Sequence, residues 1–566
     1  MTASRAQPDL FIAGETSIGP RRGPTTPMDA TRTQRTLNSA LWAAYGDALG
    51  FISELVDEAG LQRRTHGRPL VTPMPWTRRV GGRSGVNIKL PAGCWSDDTQ
   101  LRLATSRAIG PEGFDVEVFA RVELPVWTAY ALGGGRASKA AATNLGRQGT
   151  LWFANTFAGW TNAGGNGAAM RIQPHVWAAN SLHSDEFLED VVANSVCTHG
   201  HPRAIIGACF HALTLAYSIE SGALPPPDLC LAFAARLRST YDVINGNQSL
   251  GATWRPLWEH ETGTTLAAAW ELTVQELESA IEVAAEASAS SLDVQDEHYH
   301  RALVDLGLLL PEGRGSGLLT PVAAVALGWC LPSPEQAVRC AANSLGSDTD
   351  TIATMAGALI GATDGEHRLP TPPLDEPMIV AETHRLIGVA NGQRPASHAY
   401  PDLLTWSAPR TQADALATED GHLAVAGLGS VTALPPEPVA AKQGDFAWQW
   451  VRTGGGQTLL IKRRSTLPEL DPRNAIHHPR AQSDETDGRQ RESQPRRQEG
   501  MSITTADRRL EVPLDRGVDL GTALDWVETR IEEDQALGYT LRRIARDGSV
   551  DQLIAFVAAL RQRLRQ

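Results

Sequence analysis

The segment GSDTDTIATMAGALIGA occupies residues 346–362. It sets Asp348 and Asp350 among serine and threonine and continues as an apolar run rich in glycine and alanine. Ser, Asp and Thr favour helix N-termini, where their side chains accept hydrogen bonds from free backbone N–H groups. Small residues let a neighbouring helix approach closely. The segment therefore predicts a tightly packed helix that carries carboxylates at its start.

A second acidic cluster, Ser96-Asp97-Asp98-Thr99, also stands where a helix should begin, just before the helical stretch 100–109. Taken alone, each cluster has the composition of an ordinary helix cap. Together they could offer four carboxylates and two hydroxyls to one small volume. Hard divalent cations take six or more oxygen ligands, and a cation would relieve the repulsion between adjacent carboxylates. The two clusters suggest a metal site, although composition alone does not bring them together.

Between Leu37 and Ile360 the sequence reads as helix after helix, and strand-like alternation is scarce. Hydrophobic residues make up 42% of the 566 residues, which is enough to bury a substantial core. We predict an all-α domain over residues 34–408, closed by a helical segment near Leu374–Val389. Residues 1–33 are polar and rich in Pro, Gly, Arg and Thr, and are predicted to be a disordered tail.

Charge and hydropathy restrict the partners of the chain. The formal net charge is −13, so the molecule as a whole offers no basic field to nucleic acid. The longest apolar runs are shorter than the roughly 20 residues needed to span a bilayer. The N-terminal segment lacks the apolar core of a signal peptide, and the six cysteines form no C-x-x-C pair. These features predict a cytoplasmic protein without a membrane partner. They make nucleic acid an unlikely partner, although a local basic groove stays possible.

After about Trp406 the composition changes. Strand-like runs on either side of Gly454-Gly455-Gly456 predict a β-hairpin, and we assign residues 409–464 to a small β-rich module. Residues 465–509 are dense in Arg, Gln, Glu, Asp and Pro, which predicts a disordered linker. Residues 510–566 are predicted to form a short helical tail module.

The helical tail carries a capping-box pattern at Ser549 and an apolar stripe that includes Leu553 and Leu564. A short helix gains most of its stability by packing such a face on something. The stripe either packs on its neighbour around Leu524–Ile531 or binds a partner, which could be a second copy of the chain.

Five motifs, taken in order, resemble the ADP-ribosylglycohydrolase family over about Leu37 to Thr363. They are Ala44-Tyr45-Gly46-Asp47-Ala48-Leu49-Gly50 with Glu54, Ser96-Asp97-Asp98-Thr99-Gln100, Gly165-Asn166-Gly167-Ala168-Ala169-Met170-Arg171, Thr198-His199-Gly200-His201-Pro202, and Gly346-Ser347-Asp348-Thr349-Asp350-Thr351-Ile352-Ala353. The resemblance implies an orthogonal bundle of helices of the ADP-ribosylglycohydrolase type, with a cleft that holds two divalent cations, Mg²⁺ or Mn²⁺. The ligands it implies are Ser96, Asp97, Asp98, Asp348, Asp350 and Thr351.

The same resemblance assigns residues to the substrate. Asn166 and Gly167 would lie on a loop lining the ADP-ribose site, and His199 would lie near the distal ribose and the metals. Glu54 matches a glutamate on a flexible loop that can approach the metals. Arg171 is interpreted as half of a buried ion pair. Some relatives place an adenine-stacking aromatic where this chain has Gly164; either Phe157 or Trp160 could substitute, or both could simply pack in the core.

The implied activity is metal-dependent hydrolysis at the anomeric carbon of ADP-ribose, which would remove ADP-ribose from a modified protein or a small ADP-ribosyl substrate. The residues expected to be catalytic are Glu54, Asp97, Asp98 and Asp350. The alternative is a catalytically silent relative that binds ADP-ribose or has a structural, crystallin-like role. The sequence leaves the acceptor of the ADP-ribose open.

Overall fold

A computed structural model describes residues 30–82, 85–147, 149–289, 295–365, 367–442, 444–476, 523–524, 526–527, 534–547 and 550–563. Residues 1–29 of the predicted tail, the linker from residue 477 and the cap at Ser549 lie outside these residues. The tail was predicted to extend to residue 33, and this boundary is wrong, because the first helix begins at Ala30. The chain divides into a unit that ends at His478 and a second unit, Pro479–Gln566.

The first unit is mostly helical up to residue 390, as the sequence predicts. Its helices are α1 Ala30–Gly50, α2 Glu58–Thr65, α3 Asp97–Arg107, α4 Val116–Val118, α5 Leu124–Trp127, α6 Arg136–Leu145, α7 Gln173–Trp177, α8 Glu186–Val196, α9 Pro202–Ser221, α10 Pro227–Arg236, α11 Thr240–Gly246, α12 Arg255–Thr262, α13 Leu266–Ser288, α14 Gln295–Asp305, α15 Leu319–Cys330, α16 Pro334–Asn343, α17 Thr349–Gly361 and α18 Glu376–Ala390. Two short hairpins interrupt them, β1 Trp76–Val80 with β2 Val86–Leu90 and β3 Ile109–Gly110 with β4 Gly113–Phe114.

Helices α1 and α17 pack with their backbones in contact, because glycines occupy the positions where the two helices meet. A Cβ atom at Gly46 would lie 2.2 Å from the carbonyl oxygen of Ala353, and one at Gly357 would lie 2.3 Å from that of Trp42. At Gly50 a Cβ would lie 2.4 Å from the carbonyl oxygen of Thr349, the first residue of α17. The small residues of the 346–362 segment thus bring the end of α1 against the acidic start of α17.

The chain after residue 408 adds a six-stranded antiparallel sheet. Its strands are β5 Leu416–Glu419, β6 His422–Val425, β7 Gly429–Ala433, β8 Val439–Ala440, β9 Phe446–Thr453 and β10 Thr458–Arg464, in the order β10-β9-β7-β6-β5 with β8 on β9. The predicted hairpin at Gly454-Gly455-Gly456 is confirmed, since Thr458 pairs with Arg452 across it.

The sheet shares one hydrophobic core with the helices before it. Hydrogen bonds also cross between them: Arg107, the last residue of α3, donates to Gln457 Oε1 over 2.5 Å, and the Lys462 amide donates to the Ala129 carbonyl over 3.0 Å. Residues 466–476, which the sequence analysis places in the linker, remain on the sheet. The Leu470 amide donates to the Thr418 carbonyl over 2.8 Å, and Leu470 is buried.

The second unit contains helices α19 Asp534–Asp547 and α20 Val550–Arg563. Its small core joins Leu524 and Val527 to Ile544, Phe556 and Leu560, with Leu553 packed against them. The apolar stripe of the last helix therefore packs on the segment around Leu524, which is the first of the two alternatives given by the sequence. Ile531 and Leu564 lie outside the described residues.

By length and composition, α9 could cross a membrane, but 83% of its most apolar window is buried inside the fold, so it is weak evidence of a membrane span. All six cysteines carry free thiols, and only Cys340 is partly exposed.

Candidate functional site

The two acidic helix starts meet. Thr351, in the first turn of α17, lies with its Oγ1 3.5 Å from Asp98 Oδ2 in the first turn of α3. Asp97, Asp98 and Asp350 are all buried, at 5%, 2% and 2% exposure. The sequence alone could not establish this meeting, which depends on the close packing of α17 against α1.

Asp47 of α1 fixes the start of α3. Its Oδ1 accepts a hydrogen bond from the Ser96 amide over 2.8 Å, and its Oδ2 accepts from the amide and the hydroxyl of Thr99 over 2.8 and 2.5 Å. Ser96 is the N-cap of α3, because its Oγ accepts from the Asp98 amide over 3.2 Å. Asp47 belongs to the first of the five sequence motifs, but its position beside Asp98 and Asp350 was not predicted.

Asp47, Asp98 and Asp350 could hold a metal ion. Each offers a carboxylate oxygen, and these oxygens lie within 4.8 Å of one another. Asp98 Oδ1 is buried without a hydrogen-bond partner among the residues described, although buried carboxylate oxygens are normally paired. A cation would satisfy that oxygen, so the donor set fits a hard divalent ion.

The electrostatics of the cluster point the same way. Burial, with the charges of Glu54 and Asp47 added, raises the pKa of Asp97 to about 7. Burial and the neighbouring carboxylates also raise the pKa of Asp98 and of Asp350 well above the ordinary value. The cluster therefore resists full ionisation by itself, and a bound cation would favour the charged forms.

A cavity of about 630 Å³ opens above the cluster. It brings together every residue predicted for the site except Ser96; its lining includes Glu54, Asp97, Asp98, Asn166, Gly167, His199, Asp348, Asp350 and Thr351. Ser96 lies beneath as a helix cap, and its hydroxyl donates to Asp98 Oδ2 over 3.1 Å.

Asn166 and Gly167 sit on a loop that is tied to both ends of the site. Asn166 Nδ2 donates to Asp348 Oδ2 over 2.8 Å, and the Asn166 amide donates to the Gly315 carbonyl over 3.0 Å. A Cβ at Gly167 would lie 2.8 Å from Ser138 Oγ, so glycine permits this approach. Ser138 also lines the cavity, and its buried hydroxyl has no partner among the described residues. No sequence motif singled out Ser138.

His199 is held neutral and oriented by its neighbours. Arg171 donates to Thr198 Oγ1 over 2.8 Å, and that hydroxyl lies 2.7 Å from His199 Nδ1. The hydroxyl can therefore donate its own proton to Nδ1, which leaves Nε2–H as a donor on the side of Gly167. Burial, and then the charge of Arg171, lowers the pKa of His199 to about 3.

The predicted ion pair of Arg171 is wrong. The buried guanidinium donates to the Gly167 carbonyl over 2.9 Å, and to the side chain and carbonyl of Asn194 over 2.8 and 2.9 Å. No carboxylate pairs with it among the described residues. Neutral acceptors satisfy its donors, so Arg171 stabilises the Gly167 loop and Thr198 through hydrogen bonds.

The two aromatic candidates for adenine stacking, Phe157 and Trp160, differ in their position relative to the cavity. Phe157 is partly buried and lines the cavity. Trp160 is 6% exposed and packs its ring against Trp254, 6.0 Å away between centroids. It does not reach the described lining of the cavity. The core-packing alternative therefore holds for Trp160, and Phe157 is the aromatic placed at the cavity.

Glu54 lies in the turn that follows α1. Its Oε2 pairs with Arg78 Nη1 of strand β1 over 2.9 Å. The next residue, Leu55, has φ +54° and is 65% exposed at the cavity wall. A leucine in the left-handed region is rare and persists only where the surroundings impose it. The Arg78 partner was not visible from the sequence.

Fold and cavity define a helical protein with a buried carboxylate cluster that could hold a metal ion, set at the floor of a ligand-sized cleft. The chain belongs to the ADP-ribosylglycohydrolase family: the family model described as ADP-ribosylglycohydrolase matches residues 28–393. A solved structure titled "ADP-ribosylglycohydrolase-related protein complex" is similar at 22% identity, covering 64% of this chain and 99% of that chain, with a TM-score of 0.42. No curated protein matches the chain.

Proposed function

We propose that this protein is a metal-dependent hydrolase that removes ADP-ribose by cleaving the bond at the ribose anomeric carbon. The observation that carries the proposal is the convergence of Asp97, Asp98, Asp348 and Asp350 with Glu54 at one cavity. Two divalent cations, Mg²⁺ or Mn²⁺, are proposed as cofactors, with Ser96 and Thr351 as further members of the ligand set. Cleavage at an anomeric carbon proceeds through an oxocarbenium-like transition state.

Residues of this chain would orient the substrate and move the proton. The His199 Nε2–H would donate to an oxygen of ADP-ribose, while Asn166 and Gly167 present a backbone that ligand phosphates can approach closely. Glu54 would take a proton from the attacking water or return one to the leaving acceptor. Divalent cations, when bound, would stabilise negative charge and help orient oxygen atoms in the cavity.

The decisive test is release of ADP-ribose from small ADP-ribosylated substrates by the full chain supplied with Mg²⁺ or Mn²⁺. We expect chelation to stop release and either ion to restore it. Asp98→Asn should abolish release, whereas the same change at Asp57 should not, because Asp57 is the N-cap of α2 and asparagine caps equally well. Full release by thoroughly demetallated protein would overturn the proposal.

The alternative function is a silent relative that binds ADP-ribose without cleaving it. The presence of Asp97, Asp98, Asp348 and Asp350 together with Glu54 favours the enzyme. A binding or structural role does not need such a group of buried acids, which is costly to bury. Tight binding of ADP-ribose together with no turnover on arginine-, serine- and carboxylate-linked substrates would establish the alternative. The acceptor is proposed to be a protein or a small ADP-ribosyl compound in the cytoplasm.

A further inference from the structure

Arg78 holds the Glu54 side chain at the cavity. The Nη1–Oε2 distance is 2.9 Å, and the two side chains are only 20% and 14% exposed. The Arg78 guanidinium also lies 4.4 Å from the centre of the Phe51 ring, over its face. An arginine fixed by both a carboxylate and an aromatic face keeps little rotational freedom. The ion pair uses Oε2 of Glu54, and Glu54 lines the cavity.

A second arginine fixes the backbone of the same turn. Arg64 Nη1 donates to the carbonyls of Ile52 and Glu54 over 2.9 and 3.0 Å, and its guanidinium lies 4.7 Å from the Trp76 ring centre. These contacts explain how Leu55 is kept at positive φ beside Glu54. The turn at residues 51–57 is therefore built to hold one conformation.

The hairpin that carries Arg78 rests on the C-terminal sheet. Its turn begins at Gly81, where a Cβ would lie 2.3 Å from Cζ2 of Trp448 on β9. Trp448 is itself 8% exposed and is paired within the sheet to Val439. At the next glycine, Gly82, such a Cβ would have no atom of the described residues within 4 Å. Among the described residues of the turn, Gly81 thus contacts Trp448 directly and Gly82 does not. Strand β2 of the same hairpin also lies close to β8 of the sheet.

We propose that Arg78 is a positioning residue for Glu54, and that the C-terminal sheet keeps Arg78 in place through the contact of Trp448 with Gly81. The inference rests on the proposed function, in which Glu54 moves the proton. It gives the sheet a part in turnover although β5–β10 contribute no described residue to the cavity lining.

The first experiment compares Arg78→Met, Arg78→Lys and Arg79→Met in the full chain. Arg79 is the matched control, because it is the neighbouring arginine of β1, is exposed, and donates to the Gly82 carbonyl. Misplacing a catalytic group by about 1 Å can cost on the order of 10²-fold in rate. We expect Arg78→Met to lower kcat by about 10- to 100-fold with KM unchanged, Arg78→Lys to recover part of the loss, and Arg79→Met to match wild type.

A double-variant comparison separates positioning from general damage. If Arg78 acts through Glu54, then Arg78→Met should cause no further loss of kcat in a Glu54→Gln background. Equal loss in both backgrounds would mean that Arg78 acts independently of Glu54. A rise in kcat for Arg78→Met would mean that the ion pair holds Glu54 in an unproductive position. Equal loss in both backgrounds and a rise in kcat would each overturn the proposal.

The second experiment tests the sheet with Gly81→Ala and Gly82→Ala. Both glycines have positive φ, +82° and +65°, so both variants carry backbone strain, but only the alanine at position 81 would collide with Trp448. We expect Gly81→Ala to lower kcat and to speed amide hydrogen exchange in residues 51–57, and Gly82→Ala to do neither at matched thermal stability. Identical behaviour of the two variants would overturn the contribution of the sheet.

Hydrogen exchange also keeps this proposal distinct from the proposed function. If the wild type releases no ADP-ribose from any substrate, the proposed function fails, and exchange then decides the positioning. Faster exchange in residues 51–57 of Arg78→Met, but not of Arg79→Met, would support the positioning of Glu54 by Arg78. Unchanged exchange in both variants would overturn it.

Discussion

Single residues at this site have different tasks despite similar chemistry. Both oxygens of Asp47 accept hydrogen bonds from Ser96 and Thr99, while Asp98 keeps Oδ1 unpaired next to it. The first aspartate is thus already satisfied by the protein, and the second still needs a partner. This difference orders the cluster: Asp47 positions the start of α3, and Asp98 is the oxygen donor that a cation would complete.

Glu54→Gln should lower kcat by roughly 10²- to 10⁴-fold, the usual range for an acid–base group. Glutamine can still accept the hydrogen bond from Arg78, so the turn should keep its shape. Affinity for free ADP-ribose, measured by titration calorimetry, should change little. Glu58→Gln is the control, since Glu58 is exposed and accepts a hydrogen bond from the Gln62 side chain on α2. Loss of ADP-ribose affinity together with turnover would make Glu54 a binding residue instead.

The pKa of Asp97 predicts a pH-dependent response to metal. A carboxylate whose pKa rises to about 7 on folding favours the folded state below pH 4 and loses that contribution as pH climbs to 7 and above. A cation stabilises the ionised form. Mn²⁺ should therefore raise the melting temperature more at pH 8 than at pH 5.5, and chelation should reverse it. An equal rise at both pH values, or one retained in Asp98→Asn, would contradict the assignment.

At the scale of elements, the site depends on the approach of α1 to α17. Much of this could be predicted: the small residues of 346–362 indicate close packing, and Asp97 and Asp348 stand at helix starts. Arg78 could not be predicted, because its partner Glu54 lies 24 positions earlier in the chain, before helix α2. Nothing local in β1 marks it. The ion pair expected of Arg171 was wrong, because its buried guanidinium donates to neutral oxygen acceptors of Gly167, Asn194 and Thr198 instead.

Gly357→Ala should destabilise the protein by about 1–3 kcal/mol, the usual cost of overpacking, because the new methyl meets the Trp42 carbonyl at 2.3 Å. Gly246→Ala serves as the control. It lies at the end of α11 with no atom within 4 Å of the added methyl, and alanine there should be neutral or stabilising by up to about 1 kcal/mol. Thermal unfolding of both variants checks the pair, and equal losses would refute close packing as the cause.

The first unit as a whole depends on the C-terminal sheet, which the sequence composition indicates only as a small separate module. Arg107 of α3 is bonded to Gln457, and Asp375 at the start of α18 accepts from the amide and hydroxyl of Thr458. Sequence composition marks the change from helix to strand after Trp406, but it carries no information about which surfaces meet. The shared core appears only in three dimensions.

A truncated protein that ends at His478 should therefore unfold at the same temperature as the first unit of the full chain. One that ends at Ala408 should unfold at a markedly lower temperature, because it exposes the apolar surface under the sheet and leaves Arg107 without Gln457. Differential scanning calorimetry of both proteins measures this. Equal stability of the shorter protein would show that the sheet is an independent module.

The contact between Gly81 and Trp448 also has a consequence for synthesis. About 370 residues separate the two positions, and at about 5–20 residues per second a ribosome needs on the order of 20–70 s to make that stretch. During this interval the nascent hairpin has emerged, but the surface on which it rests does not yet exist. The turn that carries Glu54 is therefore among the last parts of the first unit to reach its final conformation. If Glu54 has the proposed role, a nascent chain should release no ADP-ribose until its β-sheet has been translated.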